Sequence, residues 1–339
     1  MNRKYVVNFL QFCFGVLIFL VRCSHSIEPM TIGAAIGAAS VGISYFKGQT
    51  YCRLYECCDD RSIPANVQAL HQSLQKKLYG QHIAVQHIIS ALSAHFNSQV
   101  KSRKPLVFSF HGEPGTGKSF VADQIVQALY LQGSNSAYVV KYMGRADFAQ
   151  AELVGTYRER IYREVHNRLS SCPRSLFIFD EVDKMPSGVF DTLKSLLDYN
   201  GLADGTDITQ AIFIFLSNNG GTQIAEHLGN SMKGGKLRED IRLSDYESLL
   251  QRAAYNMDGG LKKTSLIEAY VIDHYIPFLP LEKAHVLKCV EAEFQRWEKT
   301  PDRNIINDIL SSMSYDRIHA LFVSSGCKTL EKKVAMAIN

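Results

Sequence analysis

Apolar residues recur along this chain in three rhythms, and each predicts a different kind of element. Two long uncharged runs come first, at residues 6–21 and 30–46. Short unbroken runs rich in β-branched and aromatic residues follow: "PLVFSF" (105–110), "SLFIFD" (175–180) and "AIFIFLS" (211–217). Runs of that length read as strands, and a strand apolar on both faces belongs in a parallel sheet covered by helices. The third rhythm is helical. Val121, Ile125, Ala128 and Leu129 mark one helix after residue 118, and Val286, Leu287, Val290 and Phe294 mark another in "EKAHVLKCVEAEFQRW" (282–297). A further helix is predicted in "NIINDILSSM" (304–313).

The first long run follows a short basic stretch, Asn2-Arg3-Lys4, and precedes Ser24-His25-Ser26, small residues where a signal peptidase reads. Residues 1–26 are therefore expected to be a signal peptide cleaved after Ser26, with an uncleaved anchor as the alternative. The second run is marginal for a full span and too uniformly apolar for a surface helix. Residues 27–50 read as a membrane-associating segment lying in one leaflet, against the alternative of a buried helix. Either way the chain enters the secretory pathway, where the eight cysteines suit an oxidising lumen. Removal of the leader takes Cys13 and Cys23 with it and leaves Cys52, Cys57, Cys58, Cys172, Cys289 and Cys327. The "CRLYECC" cluster (52–58) lacks a zinc-site spacing. No N-x-[ST] sequon occurs, and the C-terminal "AMAIN" is no retention tetrapeptide.

A length of 339 residues allows one large domain and a smaller one. The net charge of +4 falls to about +1 once Arg3, Lys4 and Arg22 leave with the leader, so charge gives no case for nucleic-acid binding.

The strand at 105–110 runs into "HGEPGTGKSF". Gly112, Gly117, Lys118 and Ser119 fit the phosphate-loop pattern G-x-x-x-x-G-K-[ST] in its proper setting between strand and helix. Residues Gly112, Glu113, Pro114, Gly115, Thr116, Gly117, Lys118, Ser119 and Phe120 are thus candidates for binding a nucleotide, with backbone N–H groups and a helix N-terminus facing the phosphates. Lys118 would reach the terminal phosphates and the Ser119 hydroxyl would ligate Mg²⁺. The strand at 175–180 ends in Asp180 and Glu181, placed to hold Mg²⁺ and to polarise a water for attack on the γ-phosphate. The next ends in Ser217 and Asn218, whose amide can orient that water.

This pattern resembles the AAA+ ATPases and, among them, the torsins, the lumenal branch related to Clp/Hsp100 proteins. The matching text includes "LYGQHIA" (78–84), "SLFIFDEVDKMPSG", "LLDYNGLADG" (196–205), "FIFLSNNGG", "GKLREDI" (235–241), "YIPFLPLE" (275–282) and "SSGCKTL" (324–330). The resemblance implies an α/β AAA+ P-loop NTPase with a large nucleotide-binding domain over 51–280 and a small, mostly helical lid over 281–339. It also implies ATP and Mg²⁺ as cofactors, catalytic roles for Lys118, Glu181 and Asn218, metal roles for Ser119 and Asp180, and Lys328 as a second sensor. A torsin-type disulfide would join Cys289 to Cys327, either as a staple of the lid or as a redox sensor. Three departures stand out. Ser119 replaces the asparagine usual in torsins, Tyr270-Val271 stands where Clp proteins carry an arginine finger, and "ELVGTYRERIY" (152–162) lacks an aromatic pore loop, with Tyr157 read as an ordinary helix residue.

The expectation is a slow ATPase of the endoplasmic-reticulum lumen and perinuclear space, activated by the lumenal domain of a transmembrane partner that brings the missing arginine. Such a chain would remodel nuclear-envelope or endoplasmic-reticulum membrane organisation, and a homo-oligomer stays open. The alternatives are a nucleotide-shaped scaffold with little hydrolysis and a Clp-like threading unfoldase.

Overall fold

A computed structural model describes residues 52, 55–97, 99, 102–197, 202–203, 206–316 and 320–338. The expected signal peptide (1–26) and apolar segment (27–50) lie outside these residues. The chain forms two compact units, Met1–Cys57 and Cys58–Asn339. The first carries a Cys52–Cys57 disulfide.

In the second unit the apolar runs become a five-stranded sheet, all of its pairings parallel. The strands are β1 (Leu106–His111), β2 (Val139–Met143), β3 (Leu176–Asp180), β4 (Ile212–Ser217) and β5 (His274–Pro277), in the order β2-β3-β4-β1-β5. The helices of nine or more residues are α1 (Val67–Lys77), α2 (His82–His95), α3 (Lys118–Leu129), α4 (Val154–Ser171), α5 (Gly221–Lys233), α6 (Glu247–Asn256), α7 (Lys283–Arg296), α8 (Arg303–Ser311) and α9 (Leu330–Ile338).

The three central strands are buried at every position because successive side chains feed opposite cores. Phe177, Phe179, Phe213 and Phe215 enter one core with α4, α5 and α6, where Phe177 stacks on Phe213 at 4.8 Å and Phe179 on Phe215 at 5.1 Å. Leu176, Ile178, Ile212 and Ile214 enter the other, with α1, α2 and α3. Helices on both faces of a parallel sheet follow from that double burial.

A third core forms beyond Leu281. Val286, Val290 and Phe294 of α7 meet Ile309 and Leu310 of α8 and Val334 of α9. This is the helical C-terminal part the resemblance implied. Cys289 is bonded to Cys327 within it, and Cys58 is bonded to the fully buried Cys172 at the end of α4.

Candidate nucleotide site

Register brings the motif residues together. His111, the last residue of β1, pairs with Ser217 of β4, and Phe179 of β3 pairs with Phe215. The residues that follow, Gly112, Asn218 and the Asp180-Glu181 pair, therefore leave the sheet at one edge. That carboxyl edge is where ligands bind in parallel α/β sheets.

The loop after β1 turns back on glycines. Gly115 has φ +82°, and a Cβ there would run into the Ser325 carbonyl; Gly117 has φ +107° at the start of α3. Lys118 then enters the helix with its ammonium turned inward. It donates to the carbonyls of Gly112 (2.6 Å) and Glu113 (3.0 Å) and to Asn218 Oδ1 (3.0 Å), which uses all three of its protons. Burial pulls Lys118 down to about 8, against the pull of the Asp183, Asp180 and Glu113 carboxylates. An incoming phosphate would replace neutral acceptors with anionic ones and favour the charged lysine.

Asn218 is fixed from the other side by Asp183. That carboxylate accepts from the Asn218 backbone N–H at 3.0 Å and from its side-chain amide at 3.3 Å. Burial pushes the Asp183 carboxyl up, but Asn218 and the Lys184 ammonium beside it overcome this and hold it below its ordinary range. The Asn218 amide is thereby oriented, nitrogen toward aspartate and oxygen toward lysine.

Asp180 is buried, and its Oδ1 accepts from the Glu181 N–H at 2.9 Å. Glu181 itself has φ +57°, a conformation that costs a non-glycine residue about 1 kcal/mol or more. The turn at Gly144 closes against it, since a Cβ on Gly144 would strike the Glu181 carbonyl, and Arg145 lies 3.7 Å from its carboxylate. Among the described residues no three His, Cys, Asp or Glu side chains gather as a metal cage. Asp180 and the Ser119 hydroxyl nevertheless fit Mg²⁺, which takes one or two protein ligands and completes its shell with phosphate and water.

The torsin family model matches residues 52–179, and the model for the Torsin-1A C-terminal domain matches residues 281–336. A torsin-like protein of Drosophila melanogaster is 63% identical over 334 residues, covering 97% of this chain and 98% of its own. The chain belongs to the torsin family. A torsin-like protein of Caenorhabditis elegans is 33% identical over 305 residues, 89% of this torsin and 85% of its own length. Among solved structures, the Saccharomyces cerevisiae Hsp104–ADP complex superposes with a TM-score of 0.55 at 19% identity, over 80% of this torsin. Hsp104 with ATPγS and casein gives 0.56 at 18% identity. This torsin spans about half the length of those Hsp104 chains, 48% and 46%, and the likeness establishes the AAA+ fold.

The structure thus brings Lys118, Asp180, Glu181 and Asn218 to one edge, with Ser119 opening α3. Phe120 is exposed on α3. Lys328 is exposed in the turn before α9, near enough for its charge to lower Lys118. Its neighbour Cys327 donates its backbone N–H to the Gly115 carbonyl at 3.2 Å, so the lid rests directly on the phosphate loop. Tyr157 is buried on α4 against Phe148, and its hydroxyl accepts from the Gln150 N–H at 3.2 Å.

Several residues at this torsin's site were missed by sequence reasoning. Gln81, fully buried, donates to the carbonyls of Thr116 (3.0 Å) and Leu279 (2.8 Å) and accepts from the Leu279 N–H (2.8 Å), tying phosphate loop to hinge. His111 has no exposed surface. Its Nδ1 donates to the Asn219 carbonyl at 2.9 Å, which leaves Nε2 to accept from the Ser109 hydroxyl at 2.7 Å. Asp183, two residues past Glu181, was quoted in the motif but given no role. The pairing of Cys58 with Cys172 carried no sequence signal, because nothing local relates residues 114 apart.

Proposed function

We propose that this torsin binds ATP with Mg²⁺ and hydrolyses it slowly until a partner completes the site. The observation that carries the reading is the convergence of Lys118, Asn218 and the Asp180-Glu181 pair at one sheet edge. Lys118 holds the terminal phosphates, Ser119 and Asp180 hold the metal, Glu181 accepts the proton of an attacking water, and Asn218 orients that water. Mg²⁺, when bound, would neutralise charge on the phosphate oxygens.

Support for partner dependence comes from residues 270–271. Tyr270 is exposed and Val271 is buried, so neither offers a cation where the Clp-type finger would stand. Arg145 is already engaged with the Glu181 carboxylate. An arginine delivered to the γ-phosphate is worth about 10³–10⁵ in rate, so its absence accounts for a slow site. The partner is the lumenal domain of a transmembrane protein of the endoplasmic reticulum or nuclear envelope, and the task is remodelling of that membrane system. Three disulfides among the described residues support an oxidising lumen. No helix among the described residues is long and apolar enough to cross a membrane, and attachment falls to residues 27–50.

The test is turnover by the purified full chain. It should bind ATP yet hydrolyse it at a rate near background, and Glu181→Gln should keep binding while trapping the ATP state. Rapid turnover without a partner overturns the incomplete-site reading, and equal loss of binding and hydrolysis in Glu181→Gln overturns its assigned role.

A further inference from the structure

Asp180 has a neighbour that the proposed chemistry leaves unused. Lys141 lies on the edge strand β2, paired in register with Ile178 of β3, so its side chain leaves the sheet on the same face as Ile178 and Asp180. Its ammonium is 3.3 Å from Asp123 Oδ1 and 3.8 Å from Asp180 Oδ2. Asp180 Oδ1 already takes the Glu181 N–H, so Oδ2 is the less encumbered oxygen for a metal, and it is the one facing Lys141. Asp123 comes one helical turn after Ser119 on α3, on the same side of the helix, and its carboxylate is more than half exposed.

We infer that Lys141 is a positioning residue for the divalent cation: it shares Asp180 in the nucleotide-free chain and rests on Asp123 alone when the metal takes Asp180. The inference rests on the nucleotide-site reading above. An ammonium and a divalent ion drawn to one carboxylate oxygen repel each other, and a lysine on its flexible four-carbon stem moves more readily than a buried strand-end aspartate. Asp123 supplies the place to move to. Lys141 thus keeps Asp180 compensated before loading, and metal entry competes with it.

Two substitutions should act in opposite directions, which a general loss of structure would not produce. Mn²⁺ binding to the ADP-loaded full chain, followed by electron paramagnetic resonance, should tighten on the order of fivefold in Lys141→Met, since a competing charge is removed. Asp123→Asn leaves Lys141 only Asp180, so Mn²⁺ binding should weaken by a similar factor. The double variant should match Lys141→Met, because Asp123 acts through the lysine. ADP affinity in EDTA should stay at the wild-type value in both single variants. Mn²⁺ binding unchanged or weakened in Lys141→Met overturns the inference. So does weaker ADP binding in EDTA, which would make Lys141 a phosphate ligand, and so does an Asp123→Asn effect that persists without the lysine. Failure of the nucleotide-site reading looks different: the wild-type chain would then bind neither ADP nor Mn²⁺.

Discussion

Burial holds His111 down at about 4, while its Nδ1–H is committed to the Asn219 carbonyl. The unfolded chain takes up a proton on this residue near pH 6.5, whereas the native chain does so only near 4. Native stability is therefore complete above about pH 6.5 and is lost as pH falls toward 4, by up to about 3 kcal/mol from this group. Urea unfolding between pH 4.5 and 7.5 should show that acid slope, and His111→Asn, which keeps a donor near Nδ1, should make it shallower. It should not vanish, since burial also lowers His87, His95, His274 and His285. An unchanged slope in His111→Asn would contradict the neutral buried state. Legibility in sequence divides along the same line. Lys118, Asp180, Glu181 and Asn218 were readable because each follows an apolar run or fixed loop that implies where it points. His111 falls between the apolar run at 105–110 and the phosphate-loop glycines, part of neither pattern, and Gln81 is separated from its partner Leu279 by 198 residues, so only the fold shows what they touch.

At the scale of elements, the disulfides differ in what they span. Cys58–Cys172 closes a 114-residue separation and pins the start of the second unit to the end of α4; Cys289–Cys327 closes 38 residues and joins α7 to the turn that rests on the phosphate loop. Chain-entropy arguments put each at roughly 2–5 kcal/mol, with the longer loop higher. Paired alanine substitutions should therefore both lower the denaturant midpoint, but only Cys289→Ala/Cys327→Ala should also weaken ADP binding. Equal ADP affinity in the two double variants would make the lid disulfide a staple alone. The strands show why elements were unevenly readable. β1, β3 and β4 are buried on both faces and read as unbroken apolar runs. β2 is an edge strand with Lys141 and Met143 exposed, and β5 is four residues ending in proline, so neither carries a clear period. α1 buries only Leu70 and Leu74, with Val67 half-buried beside them and mostly polar residues elsewhere, which left its pattern thin.

At the scale of the molecule, one connection joins phosphate loop to lid directly and two more converge on the hinge between them. Gln81 joins Thr116 to Leu279, Cys327 joins Gly115 to the lid turn, and buried Arg238 donates to the carbonyls of Gly80 and Pro280 and pairs with Glu282 at the start of α7. A ligand on the phosphate loop should then stabilise the lid as well, and melting should remain a single transition that ADP moves upward. At about 100 times its dissociation constant, ADP adds about 2.7 kcal/mol, a rise of roughly 4 °C for a chain of this size. Lys118→Ala should abolish the rise. Gln81→Leu is close in volume but removes three hydrogen bonds inside the clamp, at a cost of about 3 kcal/mol, and leaves every loop residue intact. It should lower the melting temperature without ligand, split or broaden the transition, and weaken ADP binding on the order of tenfold, since binding must now order the hinge. Differential scanning calorimetry with and without ADP reads all of these. A Gln81→Leu chain that melts lower but keeps a single sharp transition and the full ADP rise would show that the clamp contributes stability without carrying information between loop and lid.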